Sequence, residues 1–209
     1  VALAPKRQDF VIRGTPIRNA AEPGWWRKTI YPNGDGPACF AHAVPGHWWA
    51  CFDFDDLALD FFCELPPSNE DLERIVKLAR SRLPVEFHNA ACVYRFSSSA
   101  GLDGWDKSSL HLWFWFSRPI ACRSIRAWTK GRMDGSVFGP AQPHYTSDPM
   151  FEGLDDPIEG RRLGWLDGLP EVEPPADWLD FDGYLAKLAT EAEAFEAARP
   201  VPLIAEQNA

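Results

Sequence analysis

The stretch HWWACFDFDD, residues 47–56, decides how this chain is read. Its first eight residues are aromatic and apolar enough for a buried strand. Burial explains Trp48, Trp49 and Phe52, but not Asp53 and Asp55, two carboxylates one residue apart. Alternation in an extended chain turns both carboxylates to one face and Phe54 to the other. Like charges that close raise one pKa unless a cation sits between them. A hard divalent ion such as Mg2+ is the usual cation, because it prefers carboxylate oxygens.

Two further stretches work outward from that pair. In KSSLHLWFWF, residues 107–116, Lys107, Ser109 and His111 stand at alternate positions. If the strand begins early, a cation, a hydroxyl and an imidazole share one face and form a cradle for phosphate oxygens. A single His on an apolar strand is more often a satisfied core residue, and three polar groups in register weaken that reading. GRMDGSVF, residues 131–138, adds Asp134 behind an apolar residue. Asp56, Asp103 and Asp106 are acidic neighbours, and Asp148, Asp155 and Asp156 compete for the place of a third carboxylate. Asp155 and Asp156 precede a proline and the pair Arg161/Arg162, which reads as well as an ion-paired turn. His42 and His47 read as structural, since a zinc site needs more ligands than their spacing offers.

The apolar pattern around these motifs mixes helices and strands. Strands are expected at 47–54, 89–96 and 110–117. SNEDLERIVKLARSRLP, residues 68–84, predicts a helix with Ser68 or Asn69 as cap and Leu72, Ile75, Val76 and Leu83 on one face. A short helix is expected over 120–133, a Pro-rich extended segment over 135–162, and an amphipathic helix over 183–198. Irregular alternation of this kind favours an α+β fold with helices on one face of a mixed or antiparallel sheet. The first 178 residues are expected to form one domain, followed over 179–209 by a helix and linker leading to a further domain. The chain opens on Val, and is read as a piece of a longer protein.

Composition narrows the setting. The net charge is −9, yet residues 1–147 hold 17 Lys and Arg against 15 Asp and Glu. The acidity lies in residues 148–209, with 4 basic against 15 acidic residues. Arg118, Arg123, Arg126, Lys130 and Arg132 fall in a stripe without acidic residues, which suits contact with phosphates and reads equally well as a solvated helix face. Five cysteines, an odd number without a CxxC pair, point to buried thiols in a reducing, cytoplasmic compartment. No apolar run is long enough to span a bilayer, so no membrane partner is expected.

Asp53 and Asp55, then Ser109-Leu-His111, then Met133-Asp134 follow one another in an order that resembles the archaeo-eukaryotic primase superfamily. The segment from SSSAG (97–101) to GRR (160–162) is similar to primase domains of phage, plasmid and integrated-element replication proteins. The resemblance covers roughly residues 45–165. It implies an RRM-like antiparallel or mixed sheet flanked by helices, beside a small N-terminal αβ unit. It implies that Asp53, Asp55 and Asp134 ligate Mg2+ or Mn2+, and that Lys107, Ser109 and His111 meet the nucleotide phosphates. The activity implied is DNA-templated nucleotidyl transfer, as a primase or primer-extending polymerase. Its partners are then single-stranded DNA, nucleoside triphosphates and a fused or associated helicase. The alternative is a primase-like module that binds single-stranded or origin DNA without turnover. A metal-dependent phosphatase of the haloacid-dehalogenase type is disfavoured because DFDD lacks the Thr or Val expected after the second Asp. A glycosyltransferase lacks a Gly-rich nucleotide-binding turn here.

Overall fold

In the computed structural model, residues 10–16, 40–63, 65–129 and 132–175 are described. Their elements run β1 (Phe10–Ile12), β2 (Gly14–Pro16), β3 (Phe40–His42), β4 (His47–Ala58), α1 (Asn69–Ser81), β5 (Cys92–Phe96), β6 (Lys107–Ile120), α2 (Cys122–Trp128), β7 (Pro143–Tyr145) and β8 (Leu163–Leu166). Single 3-10 turns lie at Val85–Phe87 and Gly135–Phe138. The fold is α+β. A four-stranded sheet in the order β4-β6-β5-β8 is antiparallel throughout, and β1-β7 and β2-β3 form two antiparallel pairs.

The long strands β4 and β6 follow from alternation. On β6, Ser108, Leu110, Leu112, Phe114 and Phe116 are buried on one face, and Ala50, Phe52 and Phe54 of β4 join them. Phe52 lies edge-on to Phe87, Phe114 and Phe138 at 5.0, 5.6 and 5.6 Å. Each such ring removes a large apolar area from water and adds an edge-to-face contact. The buried residues of α1, Leu72, Ile75, Val76 and Ala79, and of α2, Ile125 beside Trp128, complete this core.

The expected helix starts where its capping chemistry directs. Ser68 Oγ accepts from the Asp71 backbone N–H at 3.1 Å, and the Asp71 carboxylate accepts from the Ser68 N–H at 3.1 Å. This reciprocal pair satisfies two donors that a helix start leaves open. The helix stops at Ser81, three residues before the proline. The second helix is shorter than the 120–133 expected from its pattern. It ends at Trp128, where the Thr129 hydroxyl donates back to the Ile125 carbonyl at 2.9 Å. Inside the segment expected to be merely extended, β7 and a 3-10 turn form, and β8 follows it.

The N-terminal strands dock through Arg13, which is fully buried. Its guanidinium stacks 4.7 Å from the Trp49 ring, donates to the Trp49 carbonyl, and reaches Cys122 Sγ at 3.4 Å. Of the expected N-terminal αβ unit, the described residues carry strands alone; residues 1–9 and 17–39 lie outside them. By contact the chain divides into units 1–174 and 175–209. The expected 183–198 helix and the linker behind it also lie outside the described residues.

Candidate active site on the open face of the sheet

The face of the sheet away from α1 and α2 carries the odd-numbered residues of β6. Antiparallel pairing sets Asp53 directly across from His111. His111 Nε2 lies 3.0 Å from Asp53 Oδ1, and the His111 ring stands edge-on to Trp113 at 5.5 Å. Beyond this pair β4 bulges. Phe54 opposes Leu110 and Leu57 opposes Ser108, so Asp55 and Asp56 together face one residue, Ser109. The bulge bends and re-aims its strand. Asp56 sits at φ 52°, in the left-handed region that Asp tolerates better than most residues. Its N–H donates to Ser109 Oγ at 3.0 Å, and Lys107 Nζ closes on Asp56 Oδ1 at 2.6 Å. Ser109 and Lys107, two of the expected phosphate contacts, therefore brace the bulge.

Asp53 raises the pKa of Asp55 above the ordinary carboxylate range by direct repulsion, with burial, Asp56 and Asp134 adding to the rise and His111 opposing it. Asp134 thus reaches Asp55 through its charge, from a separate loop. That loop is held locally: Asp134 caps the 3-10 turn, accepting from the Ser136 N–H at 2.8 Å and from the Ser136 hydroxyl at 2.5 Å. Those bonds hold Asp134 below the usual carboxylate range. Among the described residues no three His, Cys, Asp or Glu side chains are gathered closely enough to hold a metal ion. Asp53 and Asp55 do fit a hard cation in chemistry: both offer carboxylate oxygens, and Asp55 bears a repulsion that a divalent ion would relieve.

Two of the competing carboxylates, Asp156 and Asp148, have other duties. Asp156 takes both arms of the buried Arg162, at 3.1 Å from Nε and 2.7 Å from Nη2, and accepts from the Ile158 and Gly160 N–H groups. This is the ion-paired turn that the Asp-Pro and Arg-Arg pattern suggested. Asp148 pairs with Arg95 at 2.6 Å. His47 Nε2 bonds the Arg13 carbonyl, a structural role that fits its reading.

Two cavities open on this face. One, of about 270 Å³, adjoins His111 and is lined by Arg95, Ser97, Ser98, Tyr145, Ser147 and Asp148, among others. Sequence reasoning overlooked Arg95 and left Ser97 and Ser98 without a role. Arg95 faces His111 across β5 and β6. The usable signal was a lone cation inside the apolar strand CVYRF. Gly101 closes the loop behind the serines: its φ is 83°, and a Cβ there would meet Trp105 and Pro157 at 2.7 and 2.8 Å. The second cavity, of about 280 Å³, is apolar and lies between Trp49, Trp113, Trp115, Val93, Leu163 and Val11.

Of the basic stripe, Arg123 and Arg126 are exposed and Arg118 is half-buried, while Lys130 lies outside the described residues. Arg126 also donates to the Gly135 carbonyl at 3.0 Å, which ties α2 to the Asp134 turn. Among the described residues no helix is long and apolar enough to cross a membrane. No protein-family model, curated protein or solved structure matches the chain.

Proposed function

We propose that the chain carries out metal-dependent, DNA-templated nucleotidyl transfer, as a primase or primer-extending polymerase with an archaeo-eukaryotic primase core. The observation that carries this reading is the placement of Asp53 against His111 at 3.0 Å, with Asp55 beside them on the bulge. A carboxylate pair and an imidazole on one sheet face suit a nucleotide whose phosphates bring their own charge.

When bound at these carboxylates, Mg2+ or Mn2+ would supply activation of the attacking oxygen and neutralisation of the leaving group. Asp53 and Asp55 hold the site, with Asp134 as the third carboxylate. His111, fixed by Asp53, orients the phosphate chain. The bulge, braced by Ser109 and Lys107, sets the separation of the two β4 carboxylates. Template phosphates are carried by Arg118, Arg123, Arg126 and Lys130, and exposed Trp165 offers a ring on which a base can stack. The test is incubation with single-stranded DNA, labelled nucleotides and Mg2+ or Mn2+, with products resolved by length. Length-resolved, template-dependent products are expected, and their absence under both metals overturns the reading.

One observation favours the second reading, a non-catalytic DNA-binding module: the Asp134 carboxylate is closed on Ser136 rather than on Asp53. Titration of nucleotide with and without metal separates the two. The enzyme needs the metal for tight triphosphate binding, and the DNA-binding module does not.

A further inference from the structure

We propose that Arg95 is a binding residue for the phosphate chain of a nucleotide, and that Asp148 occupies its guanidinium until that chain displaces it. The inference rests on the nucleotidyl-transfer reading and names a phosphate subsite for it. Arg95 lies within β5, its Cα opposite His111 on one side and Leu163 on the other. Its side chain therefore shares the open face with Asp53 and His111. That side chain is 5 % exposed, whereas the Asp148 side chain that pairs with it is 54 % exposed.

This asymmetry distinguishes the pair from its neighbour. Arg162 is equally buried, but its carboxylate partner Asp156 is pinned by two backbone N–H groups as well as by both guanidinium arms. The Asp148 carboxylate has no such tie among the described residues, and a single oxygen meets Arg95 Nη2 at 2.6 Å. A buried guanidinium needs an anion beside it. Phosphate offers a guanidinium the same bidentate, charge-assisted bonding as a carboxylate, with more oxygens to bond.

The surrounding cavity has the matching chemistry. The hydroxyl-bearing Ser97, Ser98 and Ser147 and the His111 ring line it with Arg95. Its volume, about 270 Å³, falls just below the range that encloses a whole drug-sized ligand. It suits one charged portion of a larger substrate, with the rest of the nucleotide lying outside.

The experiment is calorimetric titration of the full chain with sodium tripolyphosphate in EDTA, so that no metal takes part. Asp148→Asn is expected to tighten binding at least about fivefold, because the competing carboxylate is gone. Arg95→Gln is expected to weaken it at least about tenfold. Asp155→Asn, an exposed charge-matched control, is expected to change it less than about twofold. Asp148→Asn should also melt at a lower temperature in anion-free buffer, with tripolyphosphate restoring it. Unchanged or weaker binding by Asp148→Asn overturns the proposal, as does an equal gain in Asp155→Asn. Wild-type affinity in a folded Arg95→Gln protein overturns it too. If Arg95→Gln does not fold, the Asp148 result decides alone, since that side chain is largely in solvent. Loss of nucleotide incorporation with these anion effects intact would sink the polymerase reading and leave the subsite. Incorporation without them would do the reverse.

Discussion

Asp55 is a carboxylate held beside another carboxylate, and its raised pKa is the cost of that placement. Its charged form therefore opposes folding. Below the unfolded carboxylate value, about 3.9, the residue is protonated in both states and contributes nothing. As pH rises past that value the penalty develops, and it is complete above the folded pKa. Asp55→Asn should thus raise the melting temperature at neutral pH and leave it unchanged near pH 3. Mg2+ should stabilise the wild type and not the variant, while incorporation falls about 100-fold or more. A melting temperature lowered by the substitution at neutral pH would show that repulsion is not what Asp55 experiences. His144 gives the opposite sign. It is buried beside Trp49, and desolvation, with His111 and Arg13, lowers its pKa from 6.5 to about 4. Its neutral form contributes stability in full above pH 6.5, and this is lost as pH falls from 6.5 toward 4. The full loss is about 3 kcal/mol. Melting curves against pH should show that slope in the wild type and a shallower one in His144→Gln.

At the scale of the element, the bulge in β4 connects sequence to site. Ser109→Ala removes the acceptor for the Asp56 N–H and should cost about 1 kcal/mol of stability. Because it loosens the segment that spaces Asp53 from Asp55, incorporation should fall further than in Ser68→Ala. That helix-cap variant should lose a similar ~1 kcal/mol with incorporation unchanged. Equal incorporation in the two variants would mean the bulge has no part in the chemistry. The bulge was not legible in HWWACFDFDD, since two residues facing one is a property of pairing with β6. The strands themselves were legible, because Ala50 to Phe54 and Leu110 to Phe116 alternate against a single core, although Trp48, expected to be buried, is largely exposed. Helix α1 was legible through its Ser68 cap, which acts locally. β8 escaped notice because LGWL is four residues long with a glycine inside. Arg95 escaped because its role depends on Asp148, which is 53 positions away and returns over the sheet only in the folded chain.

At the scale of the molecule, charge is divided along the chain. Residues 1–147 carry a slight positive excess, and the last 62 residues carry 15 acidic against 4 basic groups. Ending the chain after Pro175 should keep incorporation and tighten single-stranded DNA binding, because acidic groups are removed while the unit ending at Pro174 is kept. Binding should weaken steeply with salt in both forms, as counterion release requires, and the slope should shrink when Arg123 and Arg126 are reversed to Glu. Salt-insensitive binding would place the template on another surface. The sheet order adds a further consequence. β4 is an outer strand of its sheet, twelve residues long and rich in aromatics, with no partner on its far side among the described residues. Such a strand is a template for joining another copy edge to edge, and charges and bulges along it prevent that. The acidic run at the end of β4 and its bulge therefore oppose edge-to-edge joining. Asp53→Asn combined with Asp55→Asn should scatter more light as concentration rises than either single variant does.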